Sequence, residues 1–79
     1  MNKTIASNKY FKLIEWLKAS RVEKELSMRA LADKLSKPHS YVQKVESLER
    51  KLDIYEYTQY CAALELDPCD GIERFFKKS

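Results

Sequence analysis

The strongest constraint on the fold is a pair of short helical patterns separated by only two residues. The first pattern covers 28–35, and Ser27 is a favourable N-cap for it. The second begins at Pro38, a residue suited to the first position of a helix, and continues to about residue 47. Two helices this short and this tightly joined cross at a steep angle, as in a helix-turn-helix. An ordinary helical hairpin is the alternative.

Three further helices are predicted around this pair. One runs from about Asn8 to Lys24, one follows the N-cap Asp53 over 54–64, and one opens at Asp67-Pro68. Their apolar residues recur at three- and four-residue spacing, which places them on one face of each helix. The predicted inward residues of the first four helices, in chain order, are Tyr10, Leu13, Ile14, Leu17, Met28, Leu31, Ala32, Leu35, Val42, Val45, Ile54, Tyr57, Cys61 and Leu64. The fifth helix carries Ile72, Phe75 and Phe76.

The composition favours an all-α fold in a single domain. One Gly and two Pro in 79 residues are too few for the turns that a sheet of short strands needs. We therefore predict one compact five-helix domain over 8–76. We expect residues 1–7 to be disordered, and 77–79 to form a basic C-terminal tail.

The positive charge is concentrated in the middle of the chain. The net charge is +3, from 15 Lys and Arg against 12 Asp and Glu. Residues 21–51 hold eight of the basic residues and five of the acidic ones, so the remainder holds seven of each sign. The whole excess therefore lies around the paired short helices, where it suits a phosphate backbone.

The outer face of the third helix carries groups that can read bases. If Val42 and Val45 point inward, the residues on the opposite side are Ser40, Gln43, Lys44 and Ser47, and His39 lies on the N-terminal flank. These side chains donate and accept hydrogen bonds, and none is an acid that phosphates would repel. A solvated polar face is the alternative.

Helix phase also predicts an ion pair. Arg21 falls on the apolar stripe of the first helix, and an unpaired charge near the core is costly. Glu46, on the flank of the inward face of the third helix, is the nearest partner by phase. A frayed helix end that lets Arg21 reach water is the alternative.

Several classes of function find no support. No apolar run approaches a membrane span, and the N-terminus lacks the apolar segment of a signal peptide. Cys61, Cys69 and His39 do not have the number or spacing of a zinc site or disulfide framework. His39 has no acid or nucleophile at a plausible spacing and no phosphate-binding loop is present, so we expect no enzyme activity and no cofactor.

An ordered set of segments resembles the phage lambda repressor/Cro-like (XRE) helix-turn-helix family. The first segment is Leu26-Ser27-Met28-Arg29-Ala30-Leu31-Ala32-Asp33-Lys34-Leu35. The second is Ser40-Tyr41-Val42-Gln43-Lys44-Val45-Glu46-Ser47. Leu52-Asp53 then leads to Ala63-Leu64-Glu65-Leu66-Asp67-Pro68. The resemblance covers 13–72, and its specificity comes from the order and spacing of the set.

The resemblance implies a fold of four or five helices whose third helix reads the major groove of double-stranded DNA. The positions of base contacts are then His39, Ser40, Gln43 and Lys44. The implied phosphate contacts are Ser27 and Met28 at the start of the second helix, and Lys51 and Tyr55 near the start of the fourth. We also predict a phosphate contact from Lys37. An ion pair recurs in the family between the first and third helices, here at Arg21 and Glu46.

Three departures from the family affect these expectations. Many members have Gln where this chain has Met28, and a thioether is a poor partner for a phosphate. Ser36 occupies a turn position that is commonly Gly, and Leu48 stands where Gly is also frequent. A left-handed conformation at Ser36 costs on the order of 1 kcal/mol.

The expected partner is double-stranded DNA, read as an inverted repeat by a homodimer in the cytoplasm of a bacterium, in association with the nucleoid; a phage gene is an equal source. We expect no small-molecule effector and no membrane association. The dimer surface that we predict is apolar and C-terminal, made by Ile72, Phe75 and Phe76. The rival function is an antitoxin-like or accessory protein-binding module on the same fold. Exposed Phe11 and Trp16, together with Phe75 and Phe76, would supply its contacts.

Overall fold

A computed structural model describes residues 2–76, with side chains from residue 8 onward; the predicted tail 77–79 lies outside this range. The chain forms five helices, α1 Asn2–Glu23, α2 Met28–Lys34, α3 Ser40–Glu46, α4 Ile54–Ala63 and α5 Pro68–Phe75. Residues 2–76 contain no strand, so the predicted all-α fold of five helices is confirmed. None of these helices combines the length and the apolar character needed to cross a membrane.

Three helices begin at the predicted cap residues. The Ser27 hydroxyl oxygen accepts a hydrogen bond from the Ala30 N–H at 3.0 Å, which satisfies a backbone donor in the first turn of α2. At the start of α4, Asp53 accepts from the Glu56 N–H and Glu56 accepts from the Asp53 N–H, a reciprocal capping box. Asp67 caps α5, and Pro68 is its first residue.

Two helix starts differ from the prediction. The first helix begins at Asn2, and so extends through the segment before the predicted start at about Asn8. No Gly or Pro interrupts that segment, so helical hydrogen bonding continues through it. The third helix begins at Ser40 and not at Pro38. Pro38 belongs to the preceding turn, where its carbonyl accepts the Tyr41 N–H at 2.9 Å.

The core lies where α1, α2, α3 and α4 meet. The predicted inward residues Val42, Val45 and Cys61 are fully buried, whereas Cys69 is exposed. One prediction of an inward residue is wrong. Ile54 is 72% exposed because it is the first residue of α4 and precedes the turn that contacts the core. Ile72 is 41% exposed, since the neighbouring Gly71 occupies the buried face of α5.

Two tyrosines that were not among the predicted inward residues complete the core. Tyr41 is 7% exposed and Tyr60 is 1% exposed. Burial raises the pKa of both hydroxyl groups, so both remain neutral at any physiological pH. The Tyr60 hydroxyl has no hydrogen-bond partner among the described residues.

The first four helices end in a left-handed residue that is not glycine. These residues are Glu25, Ser36, Leu48 and Glu65, with φ between 58° and 70°. Each follows the Schellman pattern, in which the next residue donates its N–H to a carbonyl five positions earlier, as Lys37 does to Ala32 at 3.0 Å. The turn between α2 and α3 is thus left-handed at Ser36, the position at which the resemblance implied a glycine.

The only glycine of the sequence lies where α1, α4 and α5 meet. A Cβ atom placed on Gly71 would lie 2.6 Å from Trp16 Cζ3 and 2.9 Å from Leu13 Cδ1, and it would also collide with the Tyr57 hydroxyl. Gly71 therefore permits an approach between helices that no other residue allows. Trp16 and Phe75 pack edge to face beside it, with ring centroids 6.2 Å apart.

Candidate nucleic-acid interface

The two faces of α3 differ completely in chemistry. Tyr41, Val42 and Val45 are buried on one side and hold the helix against the core. Ser40, Gln43 and Lys44 are exposed on the other side, together with His39 just before the helix. The structure therefore brings the four proposed base-reading residues together on one solvent-facing surface, with no exposed acid between His39 and Lys44.

A buried ion pair fixes α3 to α1. Arg21 Nε lies 2.7 Å from Glu46 Oε2, and Arg21 Nη2 lies 3.1 Å from Glu46 Oε1. The two side chains are 10% and 4% exposed. Arg21 Nη1 also donates to the Leu26 carbonyl at 2.7 Å. One guanidinium thus joins the third helix to the first and to the turn that precedes α2.

His39 makes a contact that spans the turn. Its Nε2 lies 3.1 Å from Asp33 Oδ1, near the C-terminal end of α2. Both side chains are more than half exposed. The imidazole is therefore held at one end while its remaining edge faces solvent.

The start of α2 provides one polar group and one apolar group. The Ser27 hydroxyl oxygen accepts from Ala30, which leaves its O–H free to donate. Met28 is half-buried and packs against the core, as an apolar side chain should. Of the two phosphate contacts expected here, only Ser27 has hydrogen-bonding chemistry.

Basic residues gather around Tyr41 at the edge of this surface. Lys37 Nζ and Arg50 Cζ each lie 5.3 Å from the centroid of the Tyr41 ring. Arg50 also bonds the Glu56 carboxylate. The Asp53 N–H first, and then Arg50, hold the pKa of Glu56 below its ordinary value. These contacts tie the turn before α3 and the loop after it to the start of α4.

Within the described residues, several basic side chains of the central segment are not in ion pairs, and we refer to them as the uncommitted cations. Lys24 lies 3.9 Å from Glu65, and Arg21 and Arg50 are paired as described above. Within residues 8–76, five exposed basic residues from the central segment have no carboxylate within 4.0 Å, namely Arg29, Lys34, Lys37, Lys44 and Lys51. These five are available to phosphates.

The loop after α3 and the first turn of α4 present further exposed groups. Lys51 and Tyr55, both expected to contact phosphate, are exposed, Tyr55 to 68%. Ser47 is exposed as expected, but its hydroxyl donates to the Glu49 carboxylate at 2.9 Å. This bond occupies Ser47 and places an acid at the C-terminal end of the surface that carries the four proposed base-reading residues.

The C-terminal helix offers two exposed apolar side chains. Ile72 is 41% and Phe76 39% exposed. Phe75 is half-buried against Trp16, so it contributes mainly to the core. Trp16, expected to be exposed, is half-buried for the same reason, whereas Phe11 is 44% exposed.

Sequence reasoning missed two functional candidates at this surface, Asp33 and Arg50. Their contacts cross a turn or a loop, and helix phase gives no information there. A weak signal existed in the sequence. Asp33 and His39 are the only acid and the only histidine in the segment 27–45. In the part of the chain whose side chains are described, no cluster of His, Cys, Asp and Glu is arranged to hold a metal ion.

Comparisons with known proteins agree with this geometry. The sequence model of the family described as "Helix-turn-helix" matches residues 17–70. A solved structure of an XRE-family like protein from Pseudomonas syringae pv. tomato str. DC3000 is similar to this chain, with a TM-score of 0.88 and 31% sequence identity. The alignment covers 95% of this chain and 94% of that one. No curated protein matches the sequence.

Proposed function

Because the chain belongs to the XRE-type helix-turn-helix family, a family of DNA-binding regulators, we propose that it reads one specific double-stranded sequence to regulate transcription. The observation that carries the proposal is the two-sided chemistry of α3. Its buried residues and the Arg21–Glu46 pair hold the helix rigidly, and its exposed polar side chains match the hydrogen-bonding groups of a major groove.

In this proposal the contacts divide into two classes. His39, Ser40, Gln43 and Lys44 contact base edges and supply specificity. Phosphate contacts come from Ser27, Lys37, Lys51 and Tyr55, and supply affinity and register. Met28, half-buried against the core, offers a phosphate no hydrogen-bond donor. The uncommitted cations around α3 supply the long-range attraction, which weakens as salt is added.

Two substitutions on α3 test direct readout. Gln43→Ala and Lys44→Ala remove exposed side chains, so the fold should persist while binding to the selected site weakens by about 1–3 kcal/mol. Lys18→Ala is the matched control, because Lys18 is an exposed lysine on α1. The site is first selected from random duplexes, and affinities are then measured at two salt concentrations. Unchanged affinity and site preference in both α3 variants would eliminate α3 as the reader.

We propose further that two copies bind an inverted repeat. One short helix reads too few base pairs to single out one site among about a million. Two copies related by a two-fold axis double the length read, and their half-site centres then lie about 34 Å apart. The exposed side chains of Ile72 and Phe76 support a contact through α5. Phe75 borders this contact from the core side.

Sedimentation tests the dimer, with and without the selected duplex. Phe76→Asp should abolish self-association and weaken binding to the full site, while binding to a half-site is retained. Phe11→Asp is the control, because Phe11 is an exposed phenylalanine on a different helix. Monomers at all concentrations, together with a selected site that lacks two-fold symmetry, would refute this assembly.

A further inference from the structure

We propose that Asp33 is a positioning residue that fixes which ring nitrogen of His39 faces DNA, and so determines the kind of base that His39 reads. The inference rests on the proposed function, and it concerns the chemistry of a single contact. Asp33 itself touches no base in this proposal.

The geometry of the turn places the two side chains together. Asp33 lies near the end of α2, and His39 is the residue just before α3. The chain between them is held by the left-handed Ser36 and by the bond from the Lys37 N–H to the Ala32 carbonyl. The fixed turn therefore holds the two residues close enough for His39 Nε2 to lie 3.1 Å from Asp33 Oδ1.

The chemistry of the pair selects one tautomer. A carboxylate accepts hydrogen bonds and donates none, so His39 Nε2 must carry the proton. In a neutral imidazole the other nitrogen, Nδ1, is then an acceptor. With Nε2 committed to Asp33, Nδ1 is the ring nitrogen left to meet the groove. His39 therefore presents an acceptor at the N-terminal end of the base-reading surface.

An acceptor at this point has a defined base preference. In the major groove, adenine and cytosine offer an amino donor, whereas guanine N7 and O6 and thymine O4 are acceptors. We therefore expect adenine or cytosine to be favoured opposite His39, by about tenfold over guanine or thymine. When Asp33 is removed, the ring is free to turn and to change tautomer, and this preference should fall to about twofold or less.

Binding to four duplexes tests the preference. The position contacted by His39 is identified as the one at which His39→Ala becomes indifferent to the base pair, and all four pairs are then placed there. Asp33→Ala and Asp33→Asn are compared with the wild type at about pH 8.5. Glu23→Gln is the matched control, because it removes an exposed acid at the end of α1, outside the surface that carries His39. Loss of negative charge alone strengthens binding to all four duplexes equally and leaves the preference unchanged.

The nitrogen chemical shifts of the ring test the tautomer without DNA. His39 is the single histidine of the chain, so its two ring nitrogens give the only imidazole signals in a ¹⁵N spectrum. We expect an almost pure Nε2–H tautomer in the wild type and a mixture in Asp33→Ala. Identical tautomers and identical base preference in the two proteins would overturn the role of Asp33. The proposed function would survive that result if Gln43→Ala and Lys44→Ala still weaken binding. The proposed function itself would be refuted if the wild-type protein showed no preference for any DNA sequence.

Discussion

Removal of the Glu46 carboxylate should destabilise the fold more than any surface substitution. The Arg21 side chain is only 10% exposed beside Glu46, and Glu46→Ala leaves its guanidinium the Leu26 carbonyl as its remaining partner. Breaking a buried pair from one side costs about 3–5 kcal/mol, and the surviving bond places this case near 3 kcal/mol. In a domain of this size each kcal/mol lowers the Tm by about 4–8 °C, so the expected fall is on the order of 15 °C.

Thermal and urea unfolding, followed by circular dichroism, measure this loss. Glu49→Ala is the control, because Glu49 is an exposed acid nearby and its removal should change stability by less than about 0.5 kcal/mol. The double replacement Arg21→Met with Glu46→Leu removes both charges and should recover most of the loss. A Glu46→Ala protein within about 1 kcal/mol of the wild type would refute the reasoning, since it would show that water solvates Arg21.

Three further predictions follow from local geometry. Leu48→Gly should stabilise the protein by about 0.5–1 kcal/mol in urea unfolding, because glycine adopts the φ of 70° without strain; an unchanged midpoint would contradict this. Gly71→Ala should destabilise by about 1–3 kcal/mol and shift the fluorescence of Trp16, the only tryptophan, because the added Cβ meets that ring; a wild-type spectrum and Tm would contradict it. The lowered pKa of Glu56 means that its contribution to stability is present above about pH 4.5 and is lost as the pH falls below that value. Glu56→Gln should therefore weaken the pH dependence in this range, and an identical acid profile would exclude that role.

Local signals in the sequence were enough to place most helix boundaries. Ser27, Asp53 and Asp67 each cap a helix, because a side-chain oxygen two or three residues before a free N–H is a contact within one turn. Helix phase was equally sufficient for Val42 and Val45, which both face the core. These features depend only on residues a few positions apart in the chain, so the local sequence is enough to predict them.

Contacts between helices were harder to predict from one sequence. Ile54 has the spacing of a core residue, but α4 meets the core one turn later, and that offset depends on how the helices pack. Tyr60 is buried although its hydroxyl has no hydrogen-bond partner among the described residues. Buried polar groups are usually hydrogen-bonded, so nothing in the sequence favoured placing this side chain in the core. The close contact of α1, α4 and α5 at Gly71 could not be predicted from periodicity, because glycine has no apolar side chain to mark the buried face of a helix.

The candidate site shows the same division. The outward set on α3 followed from phase, since it lies within a single helix. The bond between Asp33 and His39 and the approach of Arg50 to Tyr41 did not. Both join residues across a connection, and the left-handed turn at Ser36 decides where the side chains meet. A sequence with serine in place of the usual glycine did not reveal which conformation that turn would adopt.

The pair Arg21–Glu46 also bears on how small a functional fragment can be. It joins residues 25 positions apart, and the chain between them contains α2 and nearly all of α3. Each of these helices has seven residues, about half the length at which an isolated helix becomes marginally stable in water. A peptide of residues 27–47 would lack Arg21 and the apolar face of α1, and we expect it to be a random coil. The helix-turn-helix is therefore not a module that can be transplanted alone; a chimera must carry α1 with it.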